Sequence, residues 1–147
     1  MPDYTPLPHK LEAAFITYIT SILDDMSLDG LQVVAAQQSA VALATPRLVC
    51  ECTNTTPRSI ALPGWMDCDF SIHYITQDGN KTAEQHKTAA ATILSWLLDI
   101  ATVQAALDDT ADLSVLLYQW QSAQLTENAD EGTRASEFRF TLIAAGA

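Results

Sequence analysis

Basic residues are the scarcest chemistry in this sequence. Lys and Arg total 7 against 18 Asp and Glu, a formal charge of −11, so a phosphate backbone would be repelled unless the few cations were gathered on one face. Direct nucleic-acid binding is therefore disfavoured, although a wall that repels DNA suits a channel through which DNA slides. Glycine is also sparse, at 5 residues, too few for a phosphate-cradling loop to hide easily. The patterns GxGxxG, GxxxxGK[ST], HExxH, GxSxG and a calcium-binding loop are all missing. No apolar run approaches the ~20 residues of a membrane span. The N-terminal stretch Met1 to Pro6 lacks the basic and apolar parts of a signal peptide, so the expected workplace is the cytoplasm or something assembled there. Cysteines are three, Cys50, Cys52 and Cys68, an odd number without disulfide-framework spacing, as expected of reduced thiols.

What is present is a large apolar fraction. Hydrophobic residues make up 48% and charged residues 17% of 147 residues. That composition predicts a well-filled core and some adhesive surface, and a chain of this length buries roughly 68–70% of its unfolded surface without a metal or disulfide staple.

The periodicities predict an α+β domain spanning residues 1–147, with a Pro-rich leader over 1–8. Leu11, Phe15, Tyr18, Ile19, Ile22, Leu23 and Met26 form one apolar stripe on a helix of about five turns that Gly30 would stop. Leu31 to Ala44 fits either two short strands or a helical turn followed by a strand. Arg47 to Thr53 alternates as a half-buried strand. Residues 54–63 and 127–135 read as long loops, of the kind that bind or become ordered by a neighbour. Beyond Pro63-Gly64, Met66, Cys68, Phe70, Ile72 and Tyr74 face one way while Asp67, Asp69, Ser71 and His73 face the other, which is the alternation of a sheet with one face on a core.

A helix capped by Asn80 or Thr82 would bury Ala83, Ala90, Ile93, Leu94, Leu97 and Ala101, and a short helical piece over Val103 to Leu107 precedes an acidic turn. Two strands close the chain. In the first, Leu116, Tyr118 and Trp120 oppose Val115, Leu117, Gln119 and Gln121; in the second, Phe138, Phe140 and Leu142 oppose Glu137, Arg139 and Thr141. The expected fold is a mostly antiparallel sheet of about four strands with two main helices on one face.

Each candidate site has a plainer reading beside it. Cys50, Cys52 and Cys68 share a strand face and could begin a zinc site, but His73 falls on the other face, and small buried cysteines are the simpler account. His9, His73 and His86 lie on a leader, a strand and a helix start, with nothing local to make any of them a base, so surface or partner-facing histidines are expected. Asp67 and Asp69, about 7 Å apart on one strand face, could bind a metal or share a proton, but in a chain with 18 acids an exposed or lumen-facing acidic patch is the expected account. Trp65, Trp96 and Trp120 supply large anchors for interfaces or core. No catalytic residue, metal ligand or cofactor is expected.

One further pattern covers most of the chain: the amphipathic N-terminal helix, the run Thr45-Pro46-Arg47-Leu48-Val49-Cys50, the strand from Trp65 to Tyr74, the helix from Thr82 and its Thr, Glu and His residues, the Trp120 strand, a polar loop, and the strand Phe138-Arg139-Phe140-Thr141-Leu142. In order and spacing it resembles the tail-terminator and head-to-tail joining proteins of long-tailed bacteriophages. The resemblance implies a non-enzymatic virion protein that forms a hexameric ring at the head-proximal end of the tail tube. It would be assembled in the host cytoplasm, with the tail-tube protein and the head connector or neck protein as partners, DNA only as passing cargo, and no membrane. By that analogy acidic residues, here Asp67 and Asp69, would line the channel, and the expected interface residues are Trp65 and Trp120 for buried area and Arg134 and Arg139 for pairing with acids on the next subunit. Rival readings are another neck, tail-tube or baseplate subunit; a small acidic enzyme or metal-binding domain using Asp67, Asp69, His73 and the cysteines; and a monomeric adaptor or inhibitor that mimics DNA.

Overall fold

A computed structural model describes residues 6–28, 31–35, 46–57, 64–77, 83–109, 113–128 and 133–146. The element order is α1 (Leu7–Ile22), β1 (Gln32–Ala35), β2 (Arg47–Pro57), β3 (Met66–Gln77), α2 (Ala83–Leu97), α3 (Ile100–Asp108), β4 (Leu113–Asn128) and β5 (Thr133–Gly146). The strands form one sheet in the order β1-β2-β3-β5-β4. Every pairing is antiparallel except β1 with β2. The α+β class is as expected, with five strands in place of about four, one parallel pair and a third helix.

α1 begins inside the Pro-rich leader, since Pro6 precedes its first turn and a proline is tolerated there, where the N–H would have no partner anyway. Its buried face carries Leu11, Ala14, Phe15, Ile19 and Ile22. The helix stops at Ile22, earlier than the predicted five turns. Ser27 takes a left-handed φ of 57°, and the Leu28 N–H donates to the Leu23 carbonyl over 3.0 Å, which closes the end. Gly30, the expected stop, lies outside the described residues, as do the expected caps Asn80 and Thr82.

Gly64 takes φ 86° immediately ahead of β3, a conformation that costs glycine nothing. β2 and β5 extend further than composition suggests: Asn54–Pro57 and Thr133–Ala135, expected in loops, continue the ladders with β3. Glu127 and Asn128, also expected in a loop, end β4, and the remainder of both expected loops, 58–63 and 129–132, is outside the described residues.

The second helix ends at Leu97, short of the expected Ala101, and the expected short helical piece over Val103 to Leu107 begins earlier, at Ile100, as α3; the two are bent by 67° across Leu98-Asp99. Asp99 precedes the first turn of α3, its carbonyl accepting from Val103 N–H and its carboxylate from the Thr102 hydroxyl. Ala101, expected in the buried stripe, is exposed on α3. No single described helix is long and apolar enough to cross a membrane.

All three helices cover one face of the sheet. Between them lies the core of Phe15, Phe70, Ile72, Tyr74, Ile93, Leu97, Val103, Leu107, Tyr118, Phe138 and Phe140. Phe15 stacks on Phe70 at 4.1 Å between ring centroids and Tyr118 on Phe140 at 5.0 Å, offset arrangements that add to simple burial. The Tyr118 hydroxyl donates to the Leu97 carbonyl over 2.8 Å, satisfying a carbonyl that the end of α2 would otherwise leave without a partner.

Two irregularities correct the expected strand faces. In β4 the register shifts between Val115 and Leu117 and again between Trp120 and Ser122. Leu116 therefore bulges out and is 56% exposed, while Val115 joins Tyr118 on the core face. A bulge places two residues opposite one, so alternation read straight through it assigns the wrong side.

Candidate assembly surfaces

Among the described residues no helix covers the opposite face of the sheet, and its centre is polar. Glu51 of β2, Asp67, Asp69 and His73 of β3, and Glu137 and Arg139 of β5 project from it, following directly from the period-two alternation of three adjacent strands. A depression of about 400 Å³ lies over its centre, walled by Glu51, Asp69, Ser71, His73, Glu137 and Arg139. Glu137 organises this floor. Its carboxylate accepts from Arg139 Nε on the same strand and lies 3.9 Å from His73 Nδ1. Ser71, opposite both Glu51 and Arg139 in the two ladders, is buried beneath these longer side chains.

Asp67 and Asp69 are both exposed here, so the expected acidic pair exists. No local sequence signal shows that Glu51 and Glu137 join them, because only the strand order β2-β3-β5 brings these four carboxylates to one surface. Arg139 lies among them on the same face. The arrangement can repel a polyanion and can form exposed ion pairs, each worth about 0–1 kcal/mol.

The other predicted interface residues are dispersed. Trp120 lies on the helix side of β4 yet remains 46% exposed, because the helix layer leaves that edge uncovered. Trp65 is half-buried immediately before β3. Arg134 is half-buried on the helix side of β5, opposite in face to Arg139. The structure thus brings Asp67, Asp69 and Arg139 to one face and places Trp120 and Arg134 on the other.

The cysteines and histidines resolve differently. Cys50, Cys52 and Cys68 all point into the helix side; Cys50 and Cys68 are buried and Cys52 is half-buried. Burial raises the Cys50 thiol above its ordinary range. A hydrogen bond with Cys68 lowers Cys52 and, together with burial, raises Cys68. Among the described residues no group of three His, Cys, Asp or Glu side chains could hold a metal ion.

His86 is not a surface histidine. It is fully buried, with Nδ1 2.7 Å from the Thr76 hydroxyl, Nε2 2.9 Å from the Ser136 hydroxyl, and its ring stacked on Tyr74. Placed on α2 in step with Ala90 and Ile93, it belongs to the buried stripe, a signal that the helical spacing already held. A histidine beside a serine can activate a nucleophile. Here the second ring nitrogen meets a hydroxyl rather than a carboxylate, and the ring is closed off from any substrate, so the trio reads as a satisfied polar joint between α2, β3 and β5.

No protein-family model matches the sequence, and no curated protein matches it. Among solved structures, the fold is similar to a chain of the virion of a native gene transfer agent (GTA) particle, with a TM-score of 0.54 at 14% sequence identity, over 92% of this chain and 95% of that one.

Proposed function

We propose that this protein is a structural component of a virion, and that it acts as a tail terminator: a ring of identical subunits, hexameric by the bacteriophage resemblance, that caps the tail tube and meets the head connector. The observation that carries the reading is the fold likeness to a chain of a gene transfer agent virion, which runs almost end to end in both chains.

The geometry of the sheet supports it. One face packs against the helices over most of its width, and the other presents Glu51, Asp67, Asp69 and Glu137. Turned toward a ring axis, that face would give DNA a repelling lining along which it moves without adhering. No step of this role needs a catalytic group or a cofactor.

The test is the solution mass of the purified chain by size-exclusion chromatography with light scattering, across concentration and salt, followed by electron microscopy of whatever assembles. Closed rings with a central opening, and antibody label at the head-proximal end of the tail in particles, are expected. Label confined to the tube length or the distal tip would replace the terminator by a tube or baseplate subunit. A chain that neither assembles nor enters particles would overturn the reading.

A further inference from the structure

The depression on the polar face of the sheet gathers three carboxylates, those of Glu51, Asp69 and Glu137, against one guanidinium, that of Arg139. With His73 neutral its formal charge is −2. The one cation is not shared among the three acids. Arg139 Nε donates to Glu137 on its own strand, and His73 also lies against Glu137. Among the described residues Glu51 and Asp69 have no ion-pair partner.

The ladder sets these two acids around a third acceptor. Glu51 stands opposite Ser71 across β2 and β3, and Asp69 is two residues from Ser71 along β3, so both carboxylates rise from backbone within about 7 Å of it. Ser71 is 4% exposed and yet lines the depression. Its hydroxyl bonds to no other described residue. A desolvated hydroxyl without a partner is costly, and this one faces the hollow between two unpaired acids.

Two carboxylates and a hydroxyl around one hollow match the three N–H donors of a primary ammonium. A metal ion fits less well, because its ligands must converge to within about 2.5 Å of one point. No group of three His, Cys, Asp or Glu side chains does so among the described residues. A lone ammonium leaves half of the charge unanswered. The third acid, Glu137, stands opposite His73, one strand further across and two residues further along, roughly 12 Å from Glu51 at the backbone. A cavity of about 400 Å³ with acids at both ends calls for an extended cation.

We propose that this depression binds a linear aliphatic polyamine, with one primary ammonium held by Glu51, Asp69 and Ser71 and a second cationic nitrogen directed along the floor to Glu137. The inference goes beyond the virion reading and stands whether or not this face lines a channel.

The experiment is isothermal titration calorimetry of the full chain with spermidine at low ionic strength, where exposed charges are least screened. Saturable binding of one spermidine per chain is expected. Hexamethonium, an extended dication without N–H donors, should bind about tenfold more weakly. Glu51→Gln with Asp69→Asn should weaken spermidine about tenfold, and Ser71→Ala about threefold. Asp24→Asn with Asp25→Asn removes two exposed charges beyond the end of α1 and should leave binding unchanged. Circular dichroism checks that each variant is folded.

Absence of saturable binding overturns the proposal. Hexamethonium binding as tightly as spermidine, or equal weakening by the Asp24 and Asp25 variant, would show attraction to net charge without a site and overturn it as well. Magnesium displacing spermidine at equal concentration would replace the amine by a metal ion. Nα-acetyl-lysine methylamide binding as tightly as spermidine would give the ammonium seat to a lysine side chain of a partner protein and overturn the polyamine.

Discussion

The backbone N–H of Cys52 donates to the Glu12 carboxylate over 3.1 Å, and Glu12 is only 5% exposed. Cys52 stands at the register shift in β2, where the ladder with β3 is interrupted. A carboxylate from α1 thus serves an N–H at the point where the sheet is irregular, and fixes the helix against the strand. Glu12→Ala should cost about 1–3 kcal/mol, because it leaves a buried donor without an acceptor. Glu12→Gln keeps an acceptor oxygen and should cost less. Urea denaturation of the two variants checks this; equal losses would show that the charge, not the acceptor, matters.

His86 joins Thr76 and Ser136 through both ring nitrogens. His86→Leu should destabilise by about 2–4 kcal/mol, since two buried hydroxyls lose their partner and the stack on Tyr74 goes with it. Combined with Thr76→Val and Ser136→Ala, the loss should be clearly less than the sum of the separate losses. Strict additivity would mean that the three do not act as one network.

Tyr74 is fully buried, and its hydroxyl has no hydrogen-bond partner among the described residues. Burial also raises its pKa. Tyr74→Phe removes a desolvated oxygen and keeps the ring against His86, so stability should be unchanged or rise by up to about 1 kcal/mol. A loss of more than that in thermal or denaturant unfolding would reveal a partner for the hydroxyl.

The thiols give the protein a signed response to pH. Cys52 ionises more readily folded than unfolded, because Cys68 hydrogen-bonds to it, so it adds stability as pH rises toward the ordinary thiol value of about 8.5. Cys50, by burial, and Cys68, by its bond with Cys52, resist ionisation. Tyr118 is likewise raised, by burial first. These three contribute stability that is fully present below the unfolded values and lost above them, as the unfolded chain gives up protons that the folded one keeps. The denaturation midpoint should therefore fall above about pH 9, and the fall should shrink in Tyr118→Phe. At neutral pH an alkylating reagent should modify Cys52 well before Cys50 or Cys68; equal rates would contradict the placement.

Several elements were legible in the sequence for a simple reason: where one face of an element is uniformly buried, period alone reports it. The stripe Leu11, Phe15, Ile19, Ile22 of α1 and the alternation from Cys68 to Tyr74 in β3 are of this kind, and the exposed pair Asp67 and Asp69 follows from the latter. The helix break at Leu98-Asp99 left no Gly or Pro to announce it. The bulges of β4 hid Val115 among the wrong neighbours, because a single inserted residue reverses the apparent face of everything read from one side of it.

The sequence by itself determined that this is an acidic α+β chain with a one-sided sheet, because charge count and periodicity are properties of neighbours along the chain. Only the tertiary structure decided that Glu12 reaches Cys52, that His86 meets Ser136, and that four carboxylates from three strands share one face. Those are contacts between residues remote in sequence, fixed by strand order and by the packing of helices on one side, and no local pattern encodes which strand lies beside which.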